Sequence, residues 1–105
     1  MNIDIDLLRE IGWTHWDPIG LLRPGQDWRE ASFKDEYDSY LRRVVKKVLA
    51  GESEGRIAAY LIGVACHAMC GGRSKRDIRA AVDTVRAVTA LVEEVRGPRT
   101  TSDAA

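Results

Sequence analysis

Few residue types in this chain could do chemistry, and most are gathered in two places. The first is Gly12 to Leu22, "GWTHWDPIGLL", which holds His15, Asp17 and two of the three tryptophans, with the third at Trp28. A histidine beside an aspartate suits proton transfer. Aromatic residues left exposed around such a pair would suit recognition instead, so Trp13, His15 and Trp28 are the candidate binding residues of this loop. The second place is "CHAMC". Cys66 and Cys70 are four residues apart and share a helix face. Two thiolates at that spacing could hold zinc, but a structural zinc site needs four ligands. His67 points about 100° away from Cys66 on an ideal helix, and His15 would still leave the set one ligand short. The same divergence argues against a Cys66–His67 catalytic pair. The expectation is therefore two reduced thiols packed on a helix, with no metal and no cofactor.

Three other groupings have simple readings. "CGGRSKR" puts Gly-Gly, a serine and bases at a helix start, where free amides attract anions. It lacks the first glycine and the Gly-Lys-Ser/Thr order of a phosphate-binding loop, and reads as one helix stopping and another starting. The acids of "DEYD", Asp35 to Asp38, could pair as carboxylates, yet a helix start accounts for them. The bases Arg42, Arg43, Lys46 and Lys47, joined by Arg73, Lys75, Arg76 and Arg79, could follow a phosphate backbone. Against that, the chain is neutral overall, with 16 basic and 16 acidic residues, whereas nucleic-acid modules are usually basic.

The charge is nevertheless segregated. Residues 1–38 carry nine acids and four bases, net −5, and residues 39–86 carry ten bases and four acids, net +6. Either the halves match each other inside the fold, or a basic face awaits an acidic partner. At 105 residues, 45% hydrophobic and 30% charged, the chain is one globular domain, too short for separate catalytic and binding domains. "MNIDIDLLRE" has acids where an export signal carries bases, and the run Ile57 to Cys70 is too short to span a bilayer. The expected setting is a reducing cytoplasm.

Hydrophobic spacing predicts the elements that hold these residues. Leu7, Leu8 and Ile11 fit one helical face, with Asp4 as cap and Gly12 as stop, although Ile3, Ile5 and Leu7 also alternate as a short strand would. Trp13 to Ala31, with Pro18, Gly20, Pro24 and Gly25, reads as an irregular loop. Tyr37, Tyr40, Leu41, Val44 and Val48, widened by Val45 and Leu49, predict a helix from about Phe33 to Ala50 that ends at Gly51. Within it Asp38 and Arg42 are spaced as an ion pair. Ser53 is placed to cap a helix from about Glu54 to Cys70, apolar nearly all round and so expected to be central. Ser74 and Asp77 form a capping-box variant for a last helix with the stripe Ile78, Ala81, Val82, Val85, Thr89 and Val92, stopped by Gly97-Pro98. Arg79–Asp83 and Asp83–Arg86 are spaced as surface pairs on it. The sum is an all-α, four-helix bundle-like domain over residues 1–97 with an aromatic, Pro/Gly-containing loop after the first helix. Residues 98–105 read as a frayed tail. Leu61, Val64, Val44 and Val85 lie mid-stripe and are expected in the core.

"WDPIGLL" at Trp16 to Leu22, "KDEYDSYL" at Lys34 to Leu41, then "VLAGES" and "IAAYL" follow an order that resembles a family of small bacterial proteins with Trp-Asp-Pro-Ile-Gly and Asp-Glu-Tyr-Asp-x-Tyr signatures. The resemblance covers about residues 5–70. It implies a compact, mostly helical cytoplasmic domain and no established activity, and some members look like partners of other proteins, of the immunity kind. The motif residues Trp16, Asp17, Pro18, Gly20, Asp35, Glu36, Tyr37, Asp38 and Tyr40 also make sense without catalysis. Asp-Pro starts a turn, Trp16 supplies apolar area, and Tyr37 or Tyr40 is placed to pack on the loop. Asp38 or Glu36 is placed to accept a hydrogen bond from an indole or a loop amide. The segment thus reads as a plug closing a small fold. The expected function is a non-enzymatic protein-interaction module. The alternative is a nucleic-acid-associated protein using Arg42, Arg43, Lys46, Lys47, Arg73, Lys75 and Arg76. A homo-oligomer is compatible with either.

Overall fold

In the computed structural model, which describes residues 3–18, 20–67 and 74–97, the chain is all-α. It has four α-helices: α1 (Ile5–Ile11), α2 (Asp38–Leu49), α3 (Glu54–His67) and α4 (Lys75–Arg96). A π-helical turn (Gly12–Trp16) extends α1, and a 3-10 turn (Trp28–Glu30) interrupts the loop before α2. Among the described residues there is no strand; of the alternation Ile3, Ile5, Leu7, the last two lie in α1 and Ile3 precedes its cap.

Asp4 caps α1 as expected, its carboxylate accepting from the Asp6 amide at 2.9 Å. Gly12 does not stop the helix. It keeps right-handed angles, φ −62° and ψ −45°. Its reason for being glycine is a close approach, because a Cβ there would sit 2.7 Å from a Leu41 methyl. The chain then widens into the π-turn, closed by the Asp17 amide donating to the Gly12 carbonyl at 3.1 Å. A π-turn inserts one extra residue into the helical register. In an unbroken α-helix, His15 would follow Leu8 on the inner face, seven residues on. The insertion turns His15 outward and carries Trp13 and Trp16 inward beside Leu8.

The helix expected from Phe33 begins only at Asp38; residues 32–37 form successive turns. The cause is tertiary. The Trp13 indole donates to the Lys34 carbonyl at 3.0 Å, occupying the acceptor that an α-helix would offer to the Asp38 amide. That amide donates to the Asp35 carbonyl instead. Asp35 and Glu36 are therefore exposed turn residues and not part of a first helical turn. Within α2, Leu41, Val44 and Val45 are buried, while Leu49 is exposed at the helix end. Left-handed Gly51 (φ +82°) terminates the element, as its position predicts.

Ser53 caps α3 through the Arg56 amide at 3.2 Å. The Ser74–Asp77 capping box is present in both directions at the start of α4. On α3 the buried residues are Ile57, Ala58, Leu61 and Ala65; Val64 is only half-buried and Ala59 is exposed. The central helix is α4, not α3. Its 22 residues give it about 33 Å of length, enough to pack against α1, the π-turn, α2 and α3. Its buried stripe is Ala81, Thr84, Val85, Val88, Leu91 and Val92, with the Thr84 hydroxyl donating to the Ala80 carbonyl at 2.7 Å. Ile78, expected in that stripe, is 43% exposed. Leu61, Val44 and Val85 are fully buried. The frayed tail expected at 98–105 lies outside the described residues.

Candidate functional site

The aromatic segment is built from the inside out. Trp13, Trp16 and Trp28 are each 5% exposed. Tyr37 sits between the first two, its ring centroid 4.7 Å from that of Trp13 and 5.1 Å from that of Trp16. Phe33 also packs on Trp13, its ring centroid 5.4 Å away, and Tyr40 packs edge-on against Trp16. Trp13 and Trp28 are thus core residues and not an exposed recognition surface. Their indole N–H groups are met inside the fold, Trp13 by the Lys34 carbonyl and Trp28 by Glu10 at 2.8 Å. Of the three candidate binding residues in this loop, only His15 faces outward.

Asp17 closes the segment. Its backbone is left-handed (φ +25°, ψ +62°), a region that aspartate tolerates better than most residues. The Asp17 carbonyl accepts from the Gly20 amide at 3.0 Å, making the Asp-Pro-x-Gly turn with Pro18 in its first central position. One carboxylate oxygen accepts from the Leu21 amide at 2.9 Å and from the Tyr37 hydroxyl at 2.8 Å. The other accepts from the Leu22 amide at 3.0 Å. The two signatures of the sequence, Trp-Asp-Pro and Asp-Glu-Tyr-Asp, meet at this bond between Tyr37 and Asp17.

The remaining acids are also engaged in the frame. Asp38 takes a forked ion pair from Arg9, with nitrogen–oxygen distances of 2.6 to 3.2 Å. It does not pair with Arg42 as spacing suggested, because Arg9 on α1 reaches both of its oxygens. Neither Asp38 nor Glu36 meets an indole; Glu10 does. Glu10 also accepts from Thr14 and from Arg29, whose guanidinium lies 4.6 Å from the centre of the Trp28 ring. The Trp28 bond, helped by Thr14 and Arg29, holds the Glu10 carboxyl below its ordinary pKa against the opposing effect of burial. Arg9 and Glu10 were not singled out from sequence. Their partners stand 29 and 18 residues away, and nothing local marks them.

The other candidates do not converge. Asp35 and Glu36 are exposed, Asp38 is bound to Arg9 and Asp17 is bound to its turn, so no carboxylate pair forms. Cys66 is half-buried on α3; Cys70, "AMCGG" and Arg73 lie outside the described residues. Among the described residues, no group of three or more His, Cys, Asp or Glu is arranged to hold a metal ion. An open cleft of about 370 Å³ lies between the end of α2, the start of α3 and α4. Of its three carboxylates, Glu52 is held by Lys47 at 3.5 Å and Glu54 by Arg86 at 3.0 Å, while Glu93 has no ion pair among the described residues.

The bases divide between helices. On α2, Arg42, Arg43 and Lys46 are exposed, and Lys47 is half-buried over the Tyr60 ring. On α4, Lys75 and Arg76 are exposed in the first turn. The ion pairs show how the segregated charge is used. Arg9 pairs with Asp6 and Asp38, and Arg29 with Glu10 and Asp27, all within residues 1–38. Lys47–Glu52 and Arg86–Glu54 fall within residues 39–86. Among the described residues, no ion pair joins the acidic part to the basic part. Nor, among the same residues, is any helix long and apolar enough to cross a membrane. Compared with family models, curated proteins and solved structures, the chain matches none.

Proposed function

We propose that this chain is a non-enzymatic protein-interaction module of the bacterial cytoplasm, presenting the outer stripe of α2 to an acidic surface on another protein. The observation that carries this reading is the unmatched charge of that stripe. Ser39, Arg42, Arg43 and Lys46 recur at helical spacing on the exposed side of α2. Asp38, the acid spaced to pair with Arg42, is committed to Arg9, and among the described residues no ion pair reaches Arg42, Arg43 or Lys46. A rigid helix carrying bases without internal partners steers and orients an oppositely charged surface. The resemblance of Trp16–Leu22 and Lys34–Leu41 to the small bacterial family points the same way, toward a protein partner of the immunity or regulatory kind. The burial of the tryptophans and the commitment of Asp17 to its turn and Asp38 to Arg9 engage the aromatic segment in the fold, which supports binding over catalysis.

A nucleic-acid partner is the second reading, favoured by the further exposed bases Lys75 and Arg76. One experiment separates the two. Wild-type protein and the triple variant Arg42→Glu/Arg43→Glu/Lys46→Glu are used to capture partners from native lysate, with and without nuclease. The proposal expects a protein bound by the wild type, lost with the folded triple variant and retained after nuclease. Equal capture by the triple variant would overturn it, and loss on nuclease treatment would favour the second reading.

A further inference from the structure

Beside the outer stripe of α2 runs a second line of residues. Tyr40, Arg43 and Lys47 recur at i, i+3 and i+7, on the flank that meets α3. Across from them Tyr60 lies half-buried on α3, with the Lys47 ammonium 5.0 Å from the centre of its ring. The Tyr60 hydroxyl makes no hydrogen bond among the described residues. Burial holds its phenol above the ordinary pKa, against the opposing charge of Arg43, so it is a proton donor at neutral pH. The surface of α3 around it is open. One turn further on, a Cβ added to Gly63 would meet nothing within 4 Å. One turn back, Arg56 is exposed and has no ion pair among the described residues. The acids nearby leave this cluster positive. Glu52 is held by Lys47 and Glu54 by Arg86, and the exposed Asp35 and Glu36 precede α2, at the end away from Lys47.

We infer that the binding surface of α2 continues across this flank onto α3 with Tyr60 as its anchor, and that an acidic segment of the partner protein places a carboxylate there, accepting from the Tyr60 hydroxyl beside Arg43. The inference rests on the α2 reading and names the residue at the centre of that surface. A tyrosine ring gives apolar area at little cost in side-chain entropy, and tyrosines are enriched among residues that dominate interfaces. Here the ring is rimmed by Arg43, Lys47 and Arg56, the arrangement of an apolar centre within a polar border. The open space at Gly63 gives the incoming segment room to reach the hydroxyl. An acidic protein fits better than a nucleic acid, because Lys47 lies over a face of the ring on which a base would stack.

The test is fluorescence anisotropy on the full chain with a labelled peptide of alternating glutamate and serine, and with a single-stranded oligonucleotide of equal charge. Circular dichroism confirms the fold of each variant. Wild type should bind the peptide. Tyr60→Phe keeps the ring and removes only the donor, and it should weaken binding by about three- to tenfold, the worth of one hydrogen bond. Gly63→Glu sets a carboxylate in open space one turn from Tyr60 and should weaken binding at least as much through like charge. The triple variant Arg42→Glu/Arg43→Glu/Lys46→Glu should lose it. Wild-type affinity in either Tyr60→Phe or Gly63→Glu, with binding lost in the triple variant, would overturn this inference and leave the α2 reading standing. A peptide bound equally by the triple variant, or not bound by wild type, would overturn both. An oligonucleotide bound more tightly than the peptide, and weakened alike by Tyr60→Phe, would overturn the acidic-protein partner.

Discussion

Both oxygens of the Asp17 carboxylate accept hydrogen bonds, and this decides what each substitution does. Read as a helix cap or turn starter, Asp17 would tolerate asparagine well, since asparagine caps about as well as aspartate. The geometry changes that expectation. Leu21 N–H and the Tyr37 hydroxyl share one oxygen and Leu22 N–H takes the other, so an asparagine amide group would turn a donor toward a donor. Asp17→Asn should cost about 1–3 kcal/mol, the penalty for a part-buried polar group left unmet. Trp16→Ala removes a buried ring that touches Tyr37 and Tyr40 and should cost about 3–5 kcal/mol. Urea unfolding measures both. An Asp17→Asn variant as stable as wild type would mean that the turn is held by something other than this carboxylate.

At the scale of the elements, the parts that were legible in sequence are those with local causes. Ser53, the Ser74–Asp77 box, Gly51 and Gly97 bound their helices as their types and positions indicate. The parts that were not legible depend on distant residues. Gly12 looks like a stop signal, but it answers to Leu41, which lies across a long loop. The π-turn that exchanges His15 for Trp16 on the inner face leaves no mark in hydrophobic periodicity, and neither does the pairing of Arg9 with Asp38. Apolar composition pointed to α3 as the central helix, but small side chains make a helix apolar without making it central. Length and four-way packing give that place to α4. The helix faces can be checked by truncation. Leu61→Ala should lower stability by about 2–5 kcal/mol, the usual cost of a cavity in a packed core. Ile78→Ala, at an exposed site, should stay within about 0.5 kcal/mol of wild type. Similar losses in denaturant unfolding for the two would mean that these faces are misassigned.

The whole molecule is a bundle whose longest loop and π-turn fold back to cover one side of it. All three tryptophans lie between residues 13 and 28, so their environment reports on that closure alone. With the aromatic segment closing the core, the surface proposed for binding is the charged outer stripe of α2. That division of labour rests on the indoles being inside, and acrylamide quenching of tryptophan fluorescence tests it most directly. In native protein the account predicts weak quenching of the whole emission, with a single poorly accessible population. Quenching should rise to that of an open indole only in urea. A native protein in which one third or more of the emission quenches as readily as in urea would contradict it. The segment from Gly12 to Glu30 would then be a working surface and not the closure of the fold.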